Sequence, residues 1–181
     1  MMVLFATNAM SQKNDHYYNI PPVPKTYTAT SVASRMVDGL GFRYYWATNG
    51  LTEKDLKYKL TEKGRSTQET VSHLYDLSNM MLRLTKTTVQ QLKPKKEMSF
   101  SEMRTQTLLN FKGLSDRLKS SSDLKDFDLV KDGKLAVPFW KMINGPIADA
   151  IWHTGQIASF RRASGNPINP KINHFSGTVR E

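Results

Sequence analysis

From Ser31 onward the apolar positions recur at helical intervals: Ala33, Val37, Leu40, Tyr44 and Ala47 make one stripe. The stripe stops at Asn49-Gly50, where glycine can take the left-handed conformation that ends helices. A short piece, TEKDLKYKL, has Thr52 and Asp55 placed as a start signal and room for one or two turns. RSTQETVSHLYDLSNMMLRLTKTTVQQLKP then reads as a long helix, opened by a capping box of Ser66 and Glu69 and closed by Pro94. Its inner stripe is Thr70, His73, Leu74, Leu77, Met80, Met81, Leu84 and Thr88, so His73 is expected to face inward.

A second capping box, Ser99 with Glu102, opens the next helix. It carries Met103, Thr107, Phe111, Leu114 and Leu118 on one face up to the serine run 120–122. DFDLVKDGKLAVPFW allows either a short hairpin around Asp132-Gly133 or an irregular connection. The last helix is expected to open at NGP, because Pro146 suits a first helical position where its missing amide has no partner. It runs through Asp149, His153, Gln156 and Phe160 to about Ala163, with Gly165 and Pro167 as its stop. There is no strand-rich region and no internal repeat. Four amphipathic helices joined by medium loops therefore predict an all-α fold, a four-helix bundle.

Composition narrows this picture without overturning it. A chain of 181 residues suits one domain, and no apolar run reaches the 18 or so residues that a membrane-spanning helix requires. The formal charge of +10 is spread along the chain, and its densest run, Lys93, Lys95 and Lys96 around Pro94, reads as a loop. A solvated basic surface is the expectation, with no nucleic acid as partner. The absence of cysteine excludes disulfides, thiolate metal sites and a cysteine nucleophile.

The first residues, MMVLFATNAMSQ, set a short apolar stretch before small residues, with Ala9 and Ser11 at the spacing an export peptidase reads. No basic residue precedes them. The expectation is a clipped signal peptide and an exported, periplasmic protein, the alternative being a cytoplasmic chain with an untidy N-terminus. NIPPVPKTYTAT cannot be helical, since Pro21, Pro22 and Pro24 lack amide hydrogens and hold φ fixed. The expected organisation is a leader over residues 1–30, the helical domain over 31–170 and a tail over 171–181.

The chemistry lies on two of these helices. Asp149 and His153 are four apart, so both side chains leave one face of the last helix and can serve a common ion. His73 joins them if the long helix packs alongside. Two imidazoles and one carboxylate make a three-ligand site for a first-row divalent metal, with positions open to water or substrate. The blander alternative is that Asp149 favours the positive end of its helix and His153 is an ordinary half-buried histidine. D-x-x-x-H spacing alone does not choose between them.

Three segments in order, DGLGFRYYWATNGLTEKDLKYKL, ETVSHLYDLSNMML and ADAIWHTGQIASFRRASGNP, closely resemble the DinB-like (DinB/YfiT-type) superfamily over about Ser31 to Pro170. The resemblance implies a four-helix bundle in up-down-down-up order. It also implies a metal held by one histidine on the second long helix and a pair four apart on the last, just before a G-Q dipeptide. His73 in SHLYDLS matches the first of these and His153 in HTGQI the last, while Asp149 stands where many members carry histidine. That departure keeps a competent ligand and adds negative charge, which bears on which metal is held (Zn, Ni, Mn or Fe) and on water acidity.

The better-understood branches resemble thiol-dependent transferases or isomerases using low-molecular-weight thiols, and metal-dependent hydrolases. In them the metal acidifies a bound thiol or water. The resemblance thus implies a metal-dependent transferase or hydrolase acting on a small-molecule substrate, with a homodimer left open. Its rival is a non-catalytic bundle that binds metal or a partner for structural reasons.

Other residues carry less. Gln156, one turn beyond His153, either orients a ligand or makes a helix-packing hydrogen bond, and the second is favoured. Arg161 and Arg162 can hold an anionic group, yet cations are favoured in a last helical turn in any case. Tyr44, Tyr45 and Trp46 are expected to divide between core and pocket. His16 and His174 fall in expected flexible ends, where neither is expected as a ligand. No Gly-rich phosphate loop, G-x-S-x-G elbow or H-E-x-x-H pair is present.

Overall fold

The structure is a computed structural model and describes residues 16–181. The expected leader cleavage, and with it the export reading, falls on residues 1–15 and lies outside the described residues. The protein is mostly helical.

Helix α1 (Ala29–Thr48) opens on a capping box in which Thr28 accepts from the Ser31 amide. α2 (Glu53–Lys57) opens on Thr52 and Asp55, α3 (Thr67–Leu84) on Ser66 and Glu69, and α4 (Phe100–Lys119) on Ser99 and Glu102. Each box satisfies two amides that a helix start leaves without partners. α1 packs against α4 and against the last long helix, α6 (Ala148–Ala163), and α3 packs against the same two. The α1 stripe Ala33, Val37, Leu40, Tyr44 and Ala47 is buried against Leu74, Met81, Phe111, Leu114 and Leu118 in one core. Each such aliphatic side chain contributes about 1.5–3 kcal/mol by leaving water.

One expected boundary is corrected. α3 ends at Leu84, ten residues short of Pro94. The Thr85 hydroxyl bonds back to the Met81 and Leu82 carbonyls, Lys86 takes a φ of 51°, and the β-branched Thr87, Thr88 and Val89 follow. These residues favour leaving the helix over extending it. Thr88 is consequently exposed and outside the helix, and Met80, placed on the inner stripe, is 40% exposed.

Pro146 follows a break at Gly145 (φ −90°, ψ −106°) and starts the helical stretch that continues into α6, as the NGP signal predicts, while a helical turn, α5 (Phe139–Met142), lies before the break. Proline removes an amide and clashes with the preceding turn, so the chain kinks there.

The segment between α4 and α5 forms the hairpin. β1 (Leu129–Lys131) pairs antiparallel with β2 (Lys134–Val137) through Asp132 (φ 51°) and Gly133 (φ 73°). Positive φ at both central residues matches the right-handed strand twist. The ends are held by packing. Tyr17 is buried on α1, where a Cβ at Gly41 would fall 2.4 Å from its ring. β3 (Ile172–Asn173) and β4 (Thr178–Val179) pair into a small hairpin whose Gly177 carbonyl accepts from the Ile20 amide. No described helix is long and apolar enough to cross a membrane.

Candidate metal centre

The kink at Gly145 and Pro146 sets Asp149 in the first turn of α6, with His153 one turn on along the same face. α3 packs against that face and presents His73 to it. The three expected ligands meet. His73 Nε2 lies 3.3 Å from Asp149 Oδ2, and His153 Nε2 lies 3.3 Å from Asp149 Oδ1. One carboxylate thus spans two imidazoles, whose rings are 4.7 Å apart and nearly perpendicular. One ligand atom from each residue lies within 4.8 Å of the others. Two donors bonded to one first-row ion at about 2.1 Å are separated by about 3.4 Å, so the 3.3 Å spacings suit a shared ion.

Gln156 braces the His153 ring. Its Oε1 lies 2.6 Å from His153 Nδ1. In the tautomer with its hydrogen on Nδ1, the amide oxygen accepts that hydrogen and the Nε2 lone pair turns toward Asp149 Oδ1. Two acceptors 3.3 Å apart repel unless a cation, either a proton or a metal ion, stands between them. This is the arrangement in which a ligating histidine donates its other ring hydrogen to a fixed partner. The residue read by sequence as a packing contact is therefore the one that orients His153. The bland reading of Asp149 as a helix-start carboxylate accounts for its position in the first turn. It leaves unexplained why both its oxygens face imidazoles.

The group is half open, the side chains of His73, Asp149 and His153 being 27%, 35% and 15% exposed. Asp149 also borders a cleft of about 440 Å³ with Leu77, Met80, Asn144, Pro146 and Trp152. Trp152 is 70% exposed and its ring lies nearly parallel to that of His153, 12° apart in plane and 6.3 Å between centroids. Periodicity gave Leu77 and Met80 to the core and gave no sign of Trp152. Only the kink brings Asn144 and Pro146 beside them.

The remaining candidates fall elsewhere. Arg161 holds neither an anionic ligand nor merely the helix dipole. Its guanidinium is buried and donates to the Trp46, Ala47 and Asn49 carbonyls at the end of α1, and to Asn166. Arg162 is exposed. Tyr44, Tyr45 and Trp46 are all core residues, and complete burial pushes the Tyr44 hydroxyl up to about 12. His16 and His174 lie away from the triad, His16 beside Tyr17 and His174 against Phe42. Comparison of the chain with protein-family models, with curated proteins and with solved structures finds no match.

Proposed function

We propose that the chain is a DinB-like four-helix bundle in up-down-down-up order that holds one divalent metal through His73, Asp149 and His153. In this reading it works as a metal-dependent transferase, thiol-dependent, or as a hydrolase, on a small molecule. The observation that carries the reading is the convergence of one ligand atom each from His73, Asp149 and His153 within 4.8 Å of one another, with Gln156 Oε1 2.6 Å from His153 Nδ1. A ligating histidine commonly gives its other ring hydrogen to such a partner. The ring of four long helices, α1 and α3 each touching α4 and α6, agrees with the bundle.

Two imidazole nitrogens and one carboxylate oxygen suit Zn, Ni, Mn or Fe. Bound there, the metal supplies Lewis acidity that makes a thiol or water nucleophilic at neutral pH. The chain's own residues do the rest. His73 and His153 fix the two sides of Asp149, Gln156 holds the His153 ring in one orientation, and the Trp152 and Met80 side chains give the cleft an apolar wall. The half-open triad beside that cleft favours an enzyme over a closed structural site.

The test is metal analysis of protein purified without a nickel column, followed by a conjugation screen pairing low-molecular-weight thiols with electrophiles, and ester or amide substrates in parallel. About one equivalent of first-row metal, lost in Asp149→Ala and His153→Ala, is expected. Equal metal content in wild type and both variants would sink the reading.

A further inference from the structure

A second concave site lies on the other side of α6 from the metal triad. It is a groove of about 670 Å³ between α1, the leader and the β3–β4 hairpin. That volume falls within the range of small-molecule sites. Its walls are apolar, built by Ile20, Val23, Val32, Met36 and Ile151, and among the described residues no Asp or Glu lines it. Tyr27 and Phe175 stand at its mouth fully exposed, at 98% and 103%. Large apolar surface left to water beside a cavity marks a binding surface.

Two guanidinium groups line the groove, those of Arg35 and Arg43. The Arg43 side chain folds back one helical turn, its Nη1 donating to the Gly39 carbonyl at 3.0 Å. A Cβ at Gly39 would come within 3.3 Å of that nitrogen, so the glycine leaves the guanidinium its place over the helix. The bond to Gly39 engages one of five N–H donors, leaving a fork able to take a carboxylate. Arg35 has a different part: its Nη1 donates to the Pro21 carbonyl at 2.6 Å and pins the leader as a wall. Partial desolvation, and then the Arg43 charge, lower the His174 pKa, so the positive field reaches the hairpin side of the groove.

We propose that this groove binds an amphipathic monocarboxylate, its hydrocarbon chain along the Val32, Met36 and Ile151 wall and its carboxylate on Arg43. The apolar wall selects the chain, the Arg43 guanidinium beside Arg35 selects negative charge, and no acidic residue among the described ones lines the groove to compete for Arg43. The site is independent of the metal triad and stands or falls without it.

Decanoate is the probe, titrated by calorimetry below its micellar concentration, with 1-decanol and acetate as controls lacking one half of the chemistry. One equivalent of decanoate is expected to bind at least about tenfold more tightly than either control. Arg43→Gln, at an exposed position, brings decanoate to the affinity of decanol, and Val32→Asp, on the half-exposed wall, weakens decanoate by at least about tenfold. Melting temperatures of both variants close to wild type show that the fold is kept, and Asp149→Ala binds decanoate as wild type does.

Decanoate binding no tighter than decanol, or unchanged in Arg43→Gln, overturns the proposal. So does decanoate binding lost in Asp149→Ala, which would put the acid at the triad. A homodimer that Val32→Asp dissociates, with no decanoate bound by wild type, also overturns it and gives the groove to a second copy of the chain.

Discussion

The two ends of α6 each carry a cluster of ionisable and polar side chains that reaches another element, and the clusters are built to opposite rules. At the C-terminal end, Asp55 and Arg161 are buried and every partner is matched. Asp55 accepts from the Thr52 amide and hydroxyl, from the Asn166 amide nitrogen and from the Ser164 hydroxyl. Arg161 donates to the Trp46, Ala47 and Asn49 carbonyls at the end of α1 and to both oxygens of Asn166, which bridges it to Asp55. At the N-terminal end, His73, Asp149 and His153 are half exposed, and both imidazoles face the one carboxylate. A balanced buried network stabilises a fold, and an open group of ligand-type atoms around one point suits a cation. The same helix thus carries a closed structural network at one end and the proposed metal group at the other.

The largest effect expected from breaking this contrast is at Arg161. Arg161→Ala strands the carbonyls of Trp46, Ala47 and Asn49, and charge-assisted bonds to buried acceptors make the cost about 3 kcal/mol or more. Chemical denaturation measures it, and Ni²⁺ or Zn²⁺ affinity of the folded fraction is expected to stay at the wild-type value. A loss of stability within about 0.5 kcal/mol, the range of ordinary surface changes, would show that the network is ornamental.

Asp149→Ala is the mirror image. Removing a ligand costs more than the ten- to hundredfold typical of a ligand's supporting partner, so Ni²⁺ or Zn²⁺ affinity is expected to fall by more than about a hundredfold. Metal-free stability changes little, because the side chain is 35% exposed and caps nothing buried. A large stability loss with unchanged metal affinity would reverse the roles of the two clusters.

The clusters also differ in how far the sequence discloses them. The helix starts were readable because a capping box is local: Ser66 with Glu69 and Ser99 with Glu102 close within four residues. The end of α3 was not, since the obvious stop at Pro94 masks the back-bonding Thr85 and the positive φ of Lys86. Asp149 and His153 could be paired by spacing on one helix, and His73 joined them from its place on the inner stripe of α3, with the family resemblance pointing to the same residue. Arg161 looked like a dipole cation because its partners lie more than a hundred positions away, on a helix end that only packing brings near. Gln156 was ambiguous because its contact is helical and local, while its meaning depends on what His153 faces. The Arg43 groove was invisible to periodicity, being assembled from the leader, α1 and the tail hairpin.

Gln156→Leu sharpens the comparison on a smaller scale. It keeps the three ligands and frees His153 Nδ1, so metal affinity is expected to fall about tenfold, the lower end for a supporting partner. Gln156→Glu, which keeps an acceptor at the same reach, is expected to restore it. Ni²⁺ titrations of the two variants decide the point, and equal affinity in wild type and Gln156→Leu would return Gln156 to a packing role.

The smallest effect belongs to the balanced cluster, and it appears only in acid. Burial alone would raise the Asp55 pKa, but the bonds from Ser164, Asn166 and Thr52 outweigh it and hold the group well below the usual carboxylate range. A carboxylate whose folded pKa is depressed contributes stability that is complete above its unfolded value, about 3.9, and is lost as pH falls through the folded value. Asp55→Asn removes the charge while keeping the shape, at a cost of about 1 kcal/mol near neutrality, since charged acceptors bond about twice as strongly as neutral ones. The melting-temperature gap between wild type and Asp55→Asn is therefore expected to be constant from pH 7 to about 5 and to narrow below about pH 4. Glu102, drawn down to about 2 by Lys93 and then by the Ser99 amide, adds its own acid sensitivity. It is present in both proteins and cancels in the difference. A gap that stays constant to pH 2.5 would mean that Asp55 is held by shape alone. The contrast between the two ends of α6 would then rest on burial, without charge.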